Sequence, residues 1–208
     1  MLMIIDFNHS FKDYNEIFDF YGIWEYECPK CGARHSFCRH AKYSRGLILW
    51  DTDHLCEARM DILRLRCSSC KSTHAVLTMD MIPFCVYSLQ AFLALVAFCI
   101  AADGSVLKTE QKTGVSYQLL YRFLRIFHEF YGRLSLFLRI QELWDSALQP
   151  LPREILPLLC SEPPPWLQNG FFRAFRFPLF LHRKSTGSYP FFCGAELLKD
   201  PAAHIASA

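Results

Sequence analysis

Residues 28–32 read Cys-Pro-Lys-Cys-Gly and residues 67–71 read Cys-Ser-Ser-Cys-Lys. Two residues between cysteines let one tight turn aim both sulfurs at a single ion, with backbone amides pointing at the thiolates. Gly32 supplies the freedom in φ that such a turn often needs. Four thiolates complete a tetrahedron and leave no position for a substrate. Cys28, Cys31, Cys67 and Cys70 are therefore expected to hold one structural Zn2+, whose binding energy, on the order of 10 kcal/mol, is also folding energy. Cys38, with His35 and His40 close by, is a rival ligand cluster, read here as surface neighbours of the first knuckle. Cys56, Cys85, Cys99, Cys160 and Cys193 have no paired spacing and read as buried small hydrophobes.

Strand signals surround these knuckles. Leu2 to Phe7 reads as a short strand, and Ser10 offers an N-cap to a helix carrying Phe11, Tyr14, Phe18 and Tyr21 and ended by Gly22. Ile23–Glu27, Leu47–Trp50, Asp61–Arg66 and His74–Thr78 read as further strands. Cysteine pairs flanked by strands are the layout of a zinc ribbon, with a long hairpin carried between the knuckles.

Beyond the second knuckle the pattern turns helical. Met81 to Ala102 contains no charged residue, but Pro83 and the N-cap Ser88 divide the run. What remains, about Leu89 to Ala102, would span roughly 21 Å, short of the hydrocarbon core of about 30 Å. It is expected to be a buried core helix. Helices are expected at Val106–Thr113, Tyr117–Tyr131 and Leu134–Leu148, after which Pro150, Pro152 and Pro157 break the pattern and Pro163-Pro164-Pro165 marks a loop. The predicted fold class is α+β, with an N-terminal zinc-ribbon-like β module followed by an α-helical helix-turn-helix bundle. The corresponding segments are 1–80 with an acidic leader, 81–149, and an aromatic and basic C-terminal tail at 150–208.

Between the first two of these helices, Gly114 falls where a helix-turn-helix needs positive φ, Val115 follows as the apolar turn residue, and Ser116 can cap the second helix. Leu119, Leu120, Phe123 and Leu124 would face the core. Ser116, Tyr117, Gln118, Tyr121 and Arg122 would point outward from the first turns of a recognition helix. Gln can pair with adenine and Arg with guanine, while Lys108, Lys112 and Arg125 suit phosphates. DNA is the expected partner.

Charge is distributed unevenly around a net +2. Six acids against Lys12 alone precede Cys28, nine bases against four acids run from Cys28 to His74, and six bases against two acids run from Gly104 to Ile140. An acidic leader is thus followed by two basic segments. The 10 cysteines would form disulfides only in an oxidising compartment. The first residues lack a basic n-region, and Asp6 interrupts their apolar run, so no secretory signal is expected. The reading is cytoplasmic, with reduced thiols, no membrane partner, and a protein partner or homodimer as the alternative association.

The residues quoted above carry a family likeness. Cys-Pro-Lys-Cys-Gly, a basic hairpin, Leu-Arg-Cys-Ser-Ser-Cys, Ser-Thr-His-Ala-Val-Leu, then Met-Ile-Pro-Phe and Gly-Val-Ser-Tyr-Gln, resemble over most of the chain an uncharacterised bacterial family, domain of unknown function 6431. The front half is also similar to the zinc-ribbon and helix-turn-helix modules that open ISL-type transposases. That resemblance implies mobile-element ancestry and DNA recognition. It does not imply transposition, because the stretch after Arg133 is too short for a catalytic domain of separated Asp, Asp and Glu residues. No Ser/His/Asp grouping, phosphate-cradling glycine loop or open metal site points to an enzyme. The alternative function is a zinc-stabilised protein-protein interaction module.

Overall fold

The computed structural model describes residues 3–6, 10–14, 26–101, 104–144, 149–160, 165–175 and 178–181. Among them are a four-stranded sheet and five α-helices, making the protein α+β. The strands are β1 (Met3–Asp6), β2 (Phe37–Asp51), β3 (His54–Cys67) and β4 (Thr73–Thr78), in spatial order β1-β4-β3-β2. β1 runs parallel to β4 with Met3 opposite Ala75, and β3 runs antiparallel to β4 with Arg64 opposite Ala75. Central β4 is buried along Ala75–Thr78, as an inner strand covered on both faces should be. Tyr14 ties these strands together: its hydroxyl donates to the Val76 carbonyl at 2.8 Å and accepts the Leu63 N–H at 2.8 Å.

β2 and β3 are far longer than the two short strands expected at Leu47–Trp50 and Asp61–Arg66. Residues 38–42 are exposed without alternation, so this part of the hairpin has no buried face and no hydrophobic period to read. Its turn is also unmarked, since Thr52 takes φ +50° where Asn or Gly is usual. The helix expected from Ser10 to Gly22 is a 3-10 turn at Phe11–Asp13 as far as it is described, and residues 15–25 lie outside the described set.

The helices are α1 (Leu89–Ile100), α2 (Val106–Thr113), α3 (Tyr117–Ile140), α4 (Pro152–Cys160) and α5 (Pro165–Phe175). α1 packs against α2, α3 and α4, and α3 packs against α2 and α5. Ser88 caps α1 by accepting the Ala91 N–H at 3.1 Å. Leu89, Phe92, Leu93, Leu95 and Val96 bury nearly every side of α1, which marks a core helix. No helix among the described residues is long and apolar enough to cross a membrane.

The two helices expected at Tyr117–Tyr131 and Leu134–Leu148 are instead one. Leu120, Phe123, Phe127, Phe130, Leu134, Phe137 and Leu138 form an unbroken buried stripe at helical spacing. Gly132 lies on the opposite, open side, where its intrinsic cost of about 1 kcal/mol is outweighed by that burial. α3 stops at Ile140 through paired C-terminal bonds: the Leu143 N–H reaches the Leu138 carbonyl at 2.9 Å and the Glu142 N–H reaches Arg139 at 3.0 Å. Glu142 takes the left-handed conformation there, at φ +57°, a position usually held by Gly. Residues 145–148 of the expected third helix lie outside the described set.

Helices α4 and α5 occupy the stretch whose prolines read as breaks. Pro152 stands at the first helical position, where a missing N–H costs nothing, and Glu154 reaches back to accept the Leu151 N–H at 2.6 Å. Pro157 sits within α4, whose Ile155, Leu156 and Leu159 are buried. Gly170 of α5 lies so close to α3 that an added Cβ would stand 2.8 Å from the Phe137 ring.

The chain divides into two compact units. One gathers the described residues up to Tyr43 together with Ile62–Met79, and the other gathers Ser44–Asp61 with the described residues from Asp80 onward. Both strands of the hairpin therefore contribute to each unit.

Candidate metal centre and helical face

The two knuckles fold by the same backbone pattern. At the first, the Cys28 carbonyl accepts the Gly32 N–H at 2.8 Å, and the Cys28 N–H donates to Ala33 at 2.9 Å. At the second, the Cys67 carbonyl accepts the Lys71 N–H at 2.9 Å, and the Cys67 N–H donates to Ser72 at 2.9 Å. Gly32 takes φ +70° and Lys71 takes φ +61°, so the second knuckle places an L side chain where the first has glycine. The left-handed region costs such a residue about 1–2 kcal/mol. Gly32→Ala should therefore lower stability by about 1–2 kcal/mol. Lys71→Gly should raise it by about 0.5–1 kcal/mol, after the entropy of glycine is subtracted. Thermal melting of metal-loaded protein checks both, and melting shifts of the same sign would contradict the shared geometry.

These turns bring all four sulfurs within 4.8 Å of one another. Cys28 Sγ lies 3.6 Å from Cys70 Sγ, and Cys31 Sγ lies 3.7 Å from Cys67 Sγ. A tetrahedral ion with metal–sulfur bonds of about 2.3 Å requires sulfur separations of about 3.8 Å, so the residues fit such an ion. Cys28 and Cys67 are buried, Cys70 is half-buried and Cys31 is exposed. The four thiols could hold a metal ion.

The surroundings treat the thiols unequally. Burial pushes the Cys28 thiol up to about 12. Burial also opposes ionisation of Cys67, but the Ser36 hydroxyl and the amides of Cys70 and Ser69 outweigh it and bring that thiol down to about 6. The hydroxyl and N–H of Ser72 lower Cys70. Thiolates this close repel one another, and a dication removes the conflict.

Two neighbours escaped the sequence reading. Ser36 Oγ lies 3.4 Å from Cys67 Sγ, and His74 Nε2 lies 3.6 Å from Cys28 Sγ, placed to donate a hydrogen bond to a thiolate. His74 is buried, with its ring edge-on to Phe37 at 5.7 Å. Its position four residues after Cys70, at the start of a strand, was the available signal. Cys38 does not join the cluster: its thiol contacts the Arg66 carbonyl at 3.4 Å, and His35 and His40 are exposed. Among the described residues the group that could hold a metal ion consists of the four knuckle cysteines.

In the helical unit, α2 and α3 are joined by Gly114-Val115-Ser116. Gly114 is left-handed at φ +72° and returns its N–H to the Glu110 carbonyl at 2.8 Å, while Val115 is buried in the turn. Ser116 stands at the N-cap of α3 but makes no capping bond with its side chain, contrary to expectation. Glu110 takes that role from α2, its carboxylate accepting the Tyr117 N–H at 3.0 Å. A charged acceptor at a helix N-terminus also answers the macrodipole, so the longer side chain outcompetes the serine. Ser116, Tyr117, Gln118, Tyr121, Arg122, Arg125, Lys108 and Lys112 are all exposed, whereas Leu120 and Phe123 are buried. Lys112 places its ammonium 4.1 Å from the centre of the Phe98 ring, and Arg125 lies 3.9 Å from Glu129.

Fold and site together define an α+β protein with a four-thiol cluster in its strand region, able to hold a metal ion. No family model matches the chain, and neither the curated proteins nor the solved structures include a match to it.

Proposed function

We propose that this chain is a non-enzymatic DNA-binding protein, built from a zinc ribbon and a helix-turn-helix and of transposase-like mobile-element ancestry. The observation that carries the DNA reading is the face of α3. Its first turns follow a left-handed glycine turn and expose Tyr117, Gln118, Tyr121, Arg122 and Arg125, while Leu120 and Phe123 anchor the helix from behind. Helical ends of this kind present polar side chains to base edges in the major groove. Lys108 and Lys112 of α2 suit phosphates. Zinc suits the four thiols because their spacing matches a closed tetrahedral site.

The test uses zinc-loaded protein and duplexes selected from a random pool. Arg122→Ala should lose about 1–3 kcal/mol of affinity and relax preference at one base position. Lys112→Ala should weaken binding to every sequence alike and flatten the salt slope by about one unit. Unchanged DNA retention by both variants, each still folded, would sink the DNA reading. One observation favours a protein-protein interaction module instead: Leu107, Tyr117 and Tyr121 are large apolar side chains exposed on α2 and the start of α3. Retention of a protein partner at salt concentrations that strip DNA would select that reading.

A further inference from the structure

Within the helical unit, the loop of residues 82–87 and α3 line a partly open cavity of about 210 Å³. Ile82, Tyr87, Phe92, Phe123 and Phe180 are its buried walls. Apolar cavities of about 150 Å³ accept benzene, so this one has room for a ring and a short tail. The loop is tied down rather than loose. Arg45 donates to the carbonyls of Ile82, at 3.4 Å, and Cys85, the Ile48 N–H reaches Val86 at 2.7 Å, and the Ser88 N–H reaches Ile48 at 2.8 Å. Phe84 and Val86 are nonetheless exposed on this loop, and Phe84 is held at φ +63°. A strained, exposed aromatic beside a preformed cavity is a pattern found at ligand clamps.

The lining contains one charged side chain, Arg122, which is exposed and has no carboxylate within salt-bridge distance among the described residues. Arg45 adds a second guanidinium behind the loop, and both act on the half-buried Cys85. The nearby acid, Glu57, bears on Tyr87. Apolar walls with a cation on the solvent side match an amphipathic anion, whose body is removed from water while its head meets a planar fork of N–H donors.

We propose that this cavity binds a small monocarboxylate whose apolar body is about the size of a phenyl ring, with Arg122 receiving the carboxylate. Arg122 also stands on the face assigned to DNA above, so acid and duplex would compete for one guanidinium. The cavity is therefore tested without DNA, and its outcome does not depend on that assignment.

The experiment is calorimetric titration of the full zinc-loaded chain with 3-phenylpropionate and with its neutral amide. The acid should bind at least tenfold more tightly than the amide. Arg122→Gln should bring the two to equal affinity. Val86→Asp, a change at an exposed position, should abolish acid binding while leaving the melting temperature unchanged. Absence of binding by either compound overturns the proposal, as does equal binding of both by the wild type or an undiminished preference for the acid in Arg122→Gln.

Discussion

Cys67→Ser should yield protein with less than stoichiometric metal and no cooperative melting of the strand-rich unit. Cys67 is fully buried, receives the Ser36 hydroxyl at 3.4 Å, and has surroundings that bring its thiol down to about 6. A serine hydroxyl does not ionise there, and three sulfurs leave the coordination shell incomplete. Because binding of a structural zinc contributes on the order of 10 kcal/mol to folding, losing one ligand should exceed the effect of an ordinary surface change many times over. Cys38→Ser is the matched control. Its thiol lies outside the cluster, so metal content and melting should stay near wild type.

Elemental analysis of purified wild type should give about one zinc per chain. Iron in the same four-sulfur shell would give visible colour and would replace the zinc assignment while keeping the ligands. Acidification should weaken the metal. Cys28, held up at about 12, must surrender its proton when the ion binds, so metal binding releases protons and affinity falls as pH falls. Folded Cys67→Ser protein with a full complement of zinc would count decisively against the four-cysteine centre.

The second large effect is expected at Phe92. This α1 side chain is fully buried, with ring centroids 5.0 Å from Phe123 of α3 and 4.4 Å from Phe180. Phe92→Ala removes a ring from the place where three segments meet, at a cost of about 3–5 kcal/mol. Against a typical domain stability of about 5–15 kcal/mol, that should lower the melting temperature severely. Tyr121→Ala, at a residue 58% exposed, should change stability by about 0.5 kcal/mol or less. Denaturant unfolding compares the two. A Phe92→Ala loss below about 1 kcal/mol would mean that the neighbouring rings refill the space.

The features legible in the sequence were those whose chemistry is local. Cys28 and Cys31, and Cys67 and Cys70, announce themselves because two intervening residues set the turn that aims both sulfurs. Helix α2 was expected to end before Gly114, a residue indifferent to positive φ, and it runs Val106–Thr113 as expected. The uncharged run up to residue 102 was assigned to the core because Ser88 left too few residues to cross a bilayer, and α1 is 12 residues long.

Tertiary neighbours decided the rest. The first hairpin strand is exposed without alternation through 38–42, so only pairing with its neighbour reveals it as a strand. α3 continues through Gly132 because the buried stripe from Leu120 to Leu138 outweighs a weak local preference. It then stops at Ile140, just before Glu142, a residue that does not by itself favour the left-handed turn it adopts. Ser116 lost the cap to Glu110, and His74 and Ser36 reached the thiols from 46 and 31 residues away in the chain. Residue spacing determines which groups can meet within a single turn. Which distant groups share a shell, a helix end or a cavity depends on packing, because burial and repulsion become strong only once the chain has excluded water.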